Sequence, residues 1–471
     1  MCFTCQLVGS SRRTVQAGMA GTRRGKMERS HVRIAVVGTG IAGLATAWLL
    51  SRRHGVTVFE ADARLGGHSH TVSVPTSDGA VPVDTGFMVY NEHTYPLLTR
   101  LFAHLDVPTT ETNMSFSASI ADGSLEYGGG SLKALLAQRT NLLRPAFVRM
   151  LLDIVRFNRT GLRYLQEPGG DDLSLGDFLD RHGFGRSLGE WYLLPMAAAI
   201  WSAPVARMLD YPARSFLSFF ANHGLLSIHG HHQWRTVAGG SREYVRRIVT
   251  ELGPRVRVAT PVRAVRRCPD GVELTEGSGA TSRFDHVVLA CHADDSLALL
   301  ADATERERSL LGCFPYQPNR AVLHGDAALM PRRRAVWSSW NYLAQRSTTP
   351  GAGVSVTYWM NSLQNLTCRD DVFVSLNPLR EPDPRLVHAE IAYAHPVFDR
   401  AAVSAQGRMG EIQGKDGVSY AGAWLGHGFH EDGLRSAVAV ARSFGVAPPW
   451  EPGQLRSGGM GMVAGAAAQP A

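Results

Sequence analysis

A glycine-rich segment at residues 32–68 restricts the fold of this chain more than any other part of its sequence. It reads VRIAVVGTGIAGLATAWLLSRRHGVTVFEADARLGGH. The apolar run from Ile34 to Val37 is typical of a strand that is buried on both faces of a parallel sheet. A G-x-G-x-x-G turn, a helix, a second strand and an acidic residue follow in that order. Together they predict a βαβ unit that binds a dinucleotide.

Each glycine of the turn has its own role in binding a pyrophosphate. Gly38 allows the tight turn, Gly40 lets the backbone approach the phosphates, and Gly43 lets the helix pack closely on the strand. The predicted helix, residues 41–53, directs its N-terminal amides and the positive end of its dipole at the phosphates. The acid that ends the second strand can accept hydrogen bonds from both ribose hydroxyls. The residues of this unit that we expect to bind the nucleotide are Gly38, Gly40, Ile41, Ala42, Gly43, Glu60 and Ala61.

The net charge of +7 does not indicate a nucleic-acid partner. Residues 1–30 carry a net charge of +5, so the rest of the chain carries only +2 and is near neutral. Proteins that bind nucleic acids concentrate basic residues on a folded surface, so we expect no such partner. We interpret residues 1–30 as a disordered leader, or as an over-long gene start before Met27, and residues 447–471 as a disordered tail.

The six cysteines show neither a disulfide framework nor a second pair with zinc spacing. We therefore expect no metal site, and a reducing cytoplasm fits the chain best. No run of about 20 apolar residues is free of glycine and charge, so no membrane span is predicted.

The residues after Glu60 extend the nucleotide motif. Arg64 and the pair Gly66-Gly67 complete the pattern E-x-x-x-R-x-G-G, which resembles the extended fingerprint of FAD proteins in the flavin amine oxidase superfamily. The resemblance implies an FAD cofactor and an α/β fold, in which a split, Rossmann-like FAD-binding domain joins a mixed α+β substrate domain. It also implies that Arg64 and the glycine amides meet the FAD phosphates and that the backbone of Val262 holds the adenine edge. Further cofactor contacts that it implies are His68, Thr85, Gly86, Phe87, Ala290, Gly422, Asp432, Gly433 and Leu434.

The predicted elements assign the chain to two interleaved domains. The FAD-binding domain would comprise residues 31–110, 235–315 and 410–446, and the substrate domain residues 111–234 and 316–409. Within the first, a helix over residues 241–252 is predicted to begin with Ser241 as its cap.

The segment GFHEDGL at residues 428–434 lies at a predicted helix start. If the topology of the superfamily holds, this helix points its N-terminus at the flavin, and the amides of Gly433 and Leu434 stabilise the negative charge of the reduced cofactor. Where amine oxidases carry a cage tyrosine, three residues before the helix glycine, this chain has His430. An imidazole has a pKa suited to proton transfer, so His430 is a candidate catalytic residue. A structural role for this histidine is the alternative.

Two features direct the choice of substrate away from amines. Many amine oxidases place a lysine beside the flavin, but the only lysines here are Lys26, Lys133 and Lys415, and none is well placed. In addition, segments such as DTGFMVYNEHTYP at residues 84–96 and TYWMNSLQNL at residues 357–366 are similar to amine-oxidase-like flavoproteins that include the N-terminal half of plant cyclopropane fatty acid synthases. That resemblance implies a lipid or other apolar substrate, and a lipid methyltransferase as a partner.

Polar side chains on the apolar strands of the substrate domain are further candidates. Strand alternation would put Tyr358 with Met360 on one face and Trp359 with Asn361 on the other, and only one pair can face the flavin. Both Tyr358 and Asn361 are therefore candidate catalytic residues. The aromatic residues around them would line an apolar cavity or form core.

The region of residues 139–163 is a predicted helix rich in arginine. It is either the outer helix of the substrate domain or a basic amphipathic surface that rests on anionic lipid, peripheral to the membrane.

These patterns predict an FAD-dependent oxidoreductase, and the resemblance implies that it removes hydride from a carbon of an unsaturated, methylated or cyclopropane-type lipid acyl chain. Oxidation of an amine or a polyene on the same scaffold is one alternative. A flavoprotein that assists a lipid methyltransferase without turnover is the other.

Overall fold

The computed structural model describes residues 31–167, 173–201, 208–227, 232–345 and 354–451. The predicted leader and most of the predicted tail therefore lie outside the described residues. The strands are β1 Arg33–Val37, β2 Gly55–Phe59, β3 Thr71–Thr76, β4 Gly79–Asp84, β5 Tyr90–Asn91, β6 Thr109–Thr112, β7 Phe116–Ile120, β8 Leu125–Gly128, β9 Trp234–Val237, β10 Val256–Arg257, β11 Val262–Cys268, β12 Gly271–Glu276, β13 Thr281–Phe284, β14 His286–Leu289, β15 Tyr316–His324, β16 Trp340–Ala344, β17 Val354–Trp359, β18 Phe373–Leu376, β19 Val387–Pro396 and β20 Val418–Tyr420. The helices are α1 Ile41–Leu50, α2 Pro96–His104, α3 Leu132–Leu135, α4 Pro145–Gln166, α5 Leu175–Arg181, α6 Arg186–Leu188, α7 Leu194–Trp201, α8 Ala213–Asn222, α9 Arg242–Leu252, α10 Ala293–Leu299, α11 Glu305–Leu311, α12 Met360–Leu363, α13 Arg400–Arg408 and α14 His430–Ser443.

A parallel sheet of five strands, in the order β10-β2-β1-β14-β20, organises the first part of the fold. Successive residues of β1 enter different cores: Ile34 and Val36 pack against α1, α9 and α14, whereas Ala35 and Val37 pack on the side of β11–β13, α10 and α11. The continuous apolar run of β1 is thus explained by burial on both faces. The strands of this sheet come from three separated stretches of the chain.

A second sheet of seven strands forms the other main layer, in the order β19-β15-β18-β17-β16-β7-β8. It is antiparallel except where β16 pairs in parallel with β7. The helices α4 to α8 form a separate apolar cluster with Phe157, Phe178 and Phe216 at its centre. Within the part of the chain that the structure describes, no helix is both long and apolar enough to cross a membrane.

The sheet alternation predicted for residues 358–361 was wrong. Strand β17 ends at Trp359, and the chain turns into α12 at Met360. Tyr358 and Met360 are both buried in the core of the seven-stranded sheet. Asn361 lies on the short helix rather than on a strand face, so the period of two no longer applies to it.

The carboxylate of Asp84 joins three parts of the fold at a buried point. It accepts hydrogen bonds from the Thr71 hydroxyl at 2.6 Å, the Ser241 amide at 2.9 Å and the Gln364 side-chain amide at 2.9 Å. The Ser241 hydroxyl donates to it as well, at 2.8 Å. Ser241 is the N-cap residue of α9, as predicted, but its side chain makes no cap hydrogen bond because the hydroxyl donates to Asp84. Burial raises the pKa of Asp84 to about 6, and the hydrogen bonds from Thr71 and Ser241 oppose this shift.

Replacing this carboxylate should destabilise the whole fold. In Asp84→Ala the donors of Thr71, Ser241 and Gln364 lose a shared acceptor in a buried place, which should lower the free energy of unfolding by at least about 3 kcal/mol. Chemical denaturation followed by circular dichroism measures the change. Asp270→Ala, at an exposed aspartate in the turn before β12, should change stability by less than about 0.5 kcal/mol. Equal effects of the two substitutions would contradict the role of Asp84.

Candidate FAD-binding and active site

The glycine turn between β1 and α1 is built as a phosphate cradle. Gly38 has φ +102°, and a Cβ there would lie 2.8 Å from the carbonyl oxygen of Ala290. A Cβ on Gly43 would lie 2.0 Å from the carbonyl oxygen of Gly38. A Cβ on Gly40, in contrast, would meet nothing within 4 Å. The fold therefore requires Gly38 and Gly43 for packing, whereas Gly40 faces open space that a phosphate can enter.

The N-terminus of α1 is suited to an anion. It has no side-chain cap and no acidic residue in its first turn. Ile41 and Ala42 begin this turn and are buried. Ala290 donates its amide to Val37 at 2.8 Å, which holds the end of β14 beside the turn.

Glu60 follows β2, as predicted, and its carboxylate is oriented by backbone amides. One oxygen accepts from Thr39 at 2.9 Å and the other from Asp62 at 3.1 Å. The Thr39 hydroxyl donates to it as well, and a carboxylate has acceptor capacity beyond these three bonds. The amide of Thr260 donates to the Glu60 carbonyl at 2.8 Å, and this brings the start of β11, with Val262, to the same side of the sheet. Ala61 is exposed beside Glu60.

A loop over residues 64–69 closes over the glycine turn. A Cβ on Gly67 would lie 3.1 Å from the Cα of Gly40, and the Gly66 amide donates to the Thr39 hydroxyl at 3.2 Å. The Arg64 guanidinium donates to the carbonyl of Gly67 at 2.9 Å, so it stabilises the loop itself. The sequence pattern did not identify Thr39, although this residue joins the loop to the glycine turn.

The segment from Thr85 to Phe87 pairs with the end of this loop. The Thr85 amide donates to the His70 carbonyl at 2.9 Å, and the Phe87 amide donates to the His68 carbonyl at 2.8 Å. A Cβ on Gly86 would lie 2.2 Å from the carbonyl oxygen of His68. The structure thus brings Thr85, Gly86 and Phe87 together with His68.

His430 lies at the start of α14 within a small polar cluster. Its Nε2 atom is 2.9 Å from the Ser69 hydroxyl and 3.2 Å from the Tyr244 hydroxyl, and these two hydroxyls are also hydrogen bonded to each other. The imidazole stacks on Phe87 with ring centroids 3.7 Å apart. Burial lowers the pKa of His430 to about 3. The expectation of a pKa suited to proton transfer was wrong, because the buried ring is neutral near pH 7.

The first turn of α14 differs from the arrangement that the resemblance implies. The amide of Gly433 donates to the Phe429 carbonyl at 3.1 Å. A Cβ on Gly433 would lie 2.8 Å from Cγ2 of Ile41, so this glycine permits close packing of α14 on the start of α1. Leu434 is fully buried in the same interface. Asp432 accepts from the amides of His427 and Phe429, at 3.0 and 3.1 Å, and so folds back on the helix start.

The glycine after the last strand also has a packing role. Gly422 donates its amide to the Ser436 hydroxyl at 2.9 Å. A Cβ there would lie 2.2 Å from Nε1 of Trp424. The indole of Trp424 is buried and donates to the Cys291 carbonyl at 3.2 Å.

Two of the candidate catalytic residues are not brought to His430. Tyr358 is buried among apolar residues of the seven-stranded sheet and packs edge-on against Trp340. Asn361 donates to the Asp370 carbonyl at 2.8 Å and accepts from the Val372 amide at 2.8 Å. Both polar ends of Asn361 thus hold the chain between α12 and β18. The polar side chains of Tyr358 and Asn361 stood out among apolar residues in the sequence, but the turn after Trp359 decides where they lie.

A group of imidazole and phenol rings surrounds His68 and was not predicted from the sequence. His68 stacks on Tyr393 with ring centroids 4.8 Å apart and lies 5.3 Å from the ring of His395. Nε2 of His68 is buried without a hydrogen-bond partner among the described residues. Burial, followed by the nearby rings of His395 and His292, lowers the pKa of His68 well below its usual value. These rings come from three distant parts of the chain, so no local pattern could have revealed them.

These features fit a bound FAD. The open space at Gly40, the uncapped start of α1, the spare acceptor sites of Glu60 and the unpartnered nitrogen of His68 provide polar groups for the two ends of such a cofactor. The residues that would hold it are those of the glycine turn, Glu60, the loop 64–69 and the segment 85–87.

The comparisons with known proteins agree with this geometry. Residues 41–311, more than half of the chain, match the family described as flavin containing amine oxidoreductase. The chain belongs to this family, and the family implies a flavin cofactor. The family is one of flavin-dependent oxidoreductases.

The chain matches several curated proteins, and two of them have different named activities. The chain is 30% identical over 254 residues to a protein named as a flavin-containing monoamine oxidase, AofH, of Mycobacterium tuberculosis, covering 53% of this chain and 54% of that protein. It is 28% identical over 292 residues to a carotenoid phi-ring synthase of Streptomyces griseus, covering 58% and 54%. The chain thus spans about half the length of the curated relatives that it matches.

Solved structures share the fold. The fatty acid isomerase from P. acnes that produces CLA aligns with a TM-score of 0.62 at 13% identity, over 87% of this chain and 98% of that one. At this identity the likeness shows the fold, an FAD-binding α/β domain with a substrate domain.

The open space at Gly40 leads to a prediction that separates cofactor binding from folding. Gly40→Val should fold, because its φ of −62° suits any residue and the side chain meets no atom within 4 Å. It should purify without FAD, since the side chain fills the place of the phosphates and loses at least two hydrogen bonds, or about a hundredfold in affinity. Absorbance of the flavin and circular dichroism measure the two properties. The control Gly407→Val, also in open space on α13, should retain the flavin. If Gly40→Val purified with bound flavin, the assignment of this turn to phosphate binding would be wrong.

The lowered pKa of His430 predicts how stability depends on pH. The folded state resists protonation of this ring down to about pH 3, whereas the unfolded chain takes up the proton near pH 6.5. Acid therefore favours unfolding, and between pH 6.5 and 5 His430 should remove about 2 kcal/mol of stability. His430→Gln lacks this titration, so its loss of stability over that interval should be smaller by about the same amount. Denaturation at both pH values tests this, and parallel losses in the two proteins would refute it.

Proposed function

We propose that this chain oxidises an apolar lipid, with an unsaturated or branched acyl chain as the favoured substrate, using bound FAD. The observation that carries the proposal is that, within the described residues, His430 contacts two hydroxyls and a phenyl ring but no carboxylate, and the two acids that follow it hold other parts of the fold. Glu431 accepts from the amides of Leu97 and Leu98, each at 3.0 Å. Asp432 accepts from two amides and from Arg435. An amine substrate is an ammonium ion at neutral pH and would need such a group as its partner.

The positions of the lysines support the same conclusion. Lys133 lies on the exposed helix α3, and Lys415 lies in the exposed turn before β20. Lys26 lies outside the described residues. Among the residues that the structure does describe, no lysine contacts His430, so the lysine that many amine oxidases place beside the flavin has no counterpart there.

Aromatic rings pack around Phe429 at the start of α14. Phe429, the residue before His430, stacks on Phe219 with centroids 5.3 Å apart. His223 stacks on Phe219 at 3.9 Å, and burial lowers the pKa of His223 to about 4. Trp234 lies beyond His223 at 6.2 Å. Such a surface favours an apolar chain over a charged or strongly hydrated substrate.

The relatives support two candidates. The carotenoid phi-ring synthase is named for work on an apolar polyene, and the shared fold of a fatty acid isomerase means that the fold does not restrict the site to amines. The likeness to the protein named as a monoamine oxidase favours amine oxidation as the second candidate.

The residues of this chain would act by orientation and by excluding water. Bound FAD would supply the acceptor for the two electrons, most readily from a carbon next to a double bond or a methyl branch. His430, held by Ser69 and Tyr244, presents a neutral ring that resists protonation, so its role would be to position the reacting carbon rather than to carry a proton. The buried aromatic residues would keep the acyl chain dry and extended beside it.

Anaerobic reduction of the bound flavin tests the proposal. Addition of a lipid extract rich in unsaturated and branched acyl chains should bleach the flavin absorbance, because the lipid is oxidised, while putrescine and benzylamine should not. Bleaching by the amines alone would establish the second candidate instead. A spectrum that neither class changes would contradict an enzyme of this kind and would favour a flavoprotein that acts through a partner.

Substitution of His430 tests whether the reaction takes place beside this residue. His430→Ala should retain FAD, because the glycine turn and Glu60 are unchanged, but should slow reduction by lipid at least about tenfold through loss of orientation. His388→Ala, at an exposed histidine on β19, is the matched control and should reduce at the rate of the original protein. Full activity of the first variant would remove His430 from the mechanism.

A further inference from the structure

Exposed apolar side chains are concentrated on one part of the surface. Nine large hydrophobic residues are exposed within the described ranges, and seven of them lie between residues 132 and 162. These seven are Leu132, Leu136, Leu142, Leu143, Val148, Leu152 and Leu162. Leu143 is 83% exposed and Leu152 is 68% exposed, which is unusual for leucine outside a contact surface.

The local structure explains why these residues face outward. Helix α4 directs Phe147, Met150 and Phe157 into the protein, where they are fully buried. The opposite side carries Val148 and Leu152, one turn apart. The short 3₁₀ helix Arg139–Leu143 adds Leu142 and Leu143 beside them. Together with Pro145 they line an open groove of about 620 Å³. We call this the leucine surface.

The leucine surface is strongly basic. Residues 132–166 contain Lys133, Asp153 and six arginines, a net charge of +6. The rest of the chain from residue 31 onward carries a net charge of −4. Asp153 is buried and bonded to Arg149 and Arg156, at 3.5 and 3.1 Å, so the outer rim is cationic. Arg149 and Arg156 line the groove, and Arg139, Arg159 and Arg163 are exposed along the same segment.

We infer that the leucine surface docks on a bilayer that contains anionic phospholipids. The leucines would enter the region between the headgroups and the acyl chains, and the arginines would meet the phosphates. The exposed apolar members are leucine and valine without an aromatic residue, whereas the anchors of protein interfaces are mostly aromatic. The basic rim around an apolar centre is complementary to phosphate above hydrocarbon. This docking does not depend on the identity of the substrate.

Sedimentation with lipid vesicles tests the docking. The full-length protein with FAD should sediment with vesicles of phosphatidylglycerol and phosphatidylcholine, less at high salt, and poorly with phosphatidylcholine alone. Because residues 1–30 also carry a net charge of +5, the leucine variants decide the matter. The double variant Leu143→Glu/Leu152→Glu should lower the partition coefficient at least about tenfold, since two leucines no longer leave water.

A matched control has the same change of charge elsewhere. Leu386→Glu alters an exposed leucine just before β19, at the opposite edge of the seven-stranded sheet from β8. Carrying it together with Val258→Glu, at another exposed apolar residue, should leave vesicle binding unchanged within about twofold. Flavin absorbance and circular dichroism verify folding in each protein, and no step of the assay requires turnover.

Two results would overturn the inference. One is equal binding of anionic vesicles by the original protein and by the double leucine variant, or no binding by either. The other is a dimer of the original protein in sedimentation equilibrium that becomes a monomer in the leucine variant, because the surface would then be an interface between two copies of the chain.

Discussion

The arrangement of the whole molecule depends on the buried carboxylate of Asp84. It ends β4, accepts from the hairpin partner through Thr71, fixes the start of α9 through Ser241 and reaches the seven-stranded sheet through Gln364. The next three residues, Thr85 to Phe87, pair with the loop that carries His68. One buried acceptor therefore sets the relation between the nucleotide half and the substrate half, and the position of the segment between them.

Much of the cofactor site could be predicted from the sequence because its physics is local. The strand, turn and helix of residues 33–50 are contiguous, and the requirements on Gly38 and Gly43 arise within one turn. The end of the second strand was also predictable, since the β-branched and aromatic run from Val56 to Phe59 stops at Glu60. Family resemblance placed Gly422 and Gly433 near this unit, but their packing against Trp424 and Ile41 is visible only in three dimensions.

The parts of the site that escaped prediction depend on distant contacts. Ser69 and Tyr244 are separated by 175 positions yet meet at His430. No periodic pattern encodes such a meeting, and the lowered pKa of His430 follows from the same burial. The alternation predicted for Tyr358 and Asn361 was wrong for the opposite reason. A local turn into α12 ends the strand on which that alternation was based.

The split of the parallel sheet has a consequence for the order of synthesis. Strand β20 and helix α14 are the last regular elements of the described chain, yet β20 pairs with β14 and α14 packs on α1. When only the first 400 residues have left the ribosome, the glycine turn has been made but β20 and α14 have not. The incomplete sheet presents β14 as an open edge during that interval, with its apolar face uncovered. Nascent chains therefore expose this edge to aggregation until β20 and α14 have emerged from the ribosome.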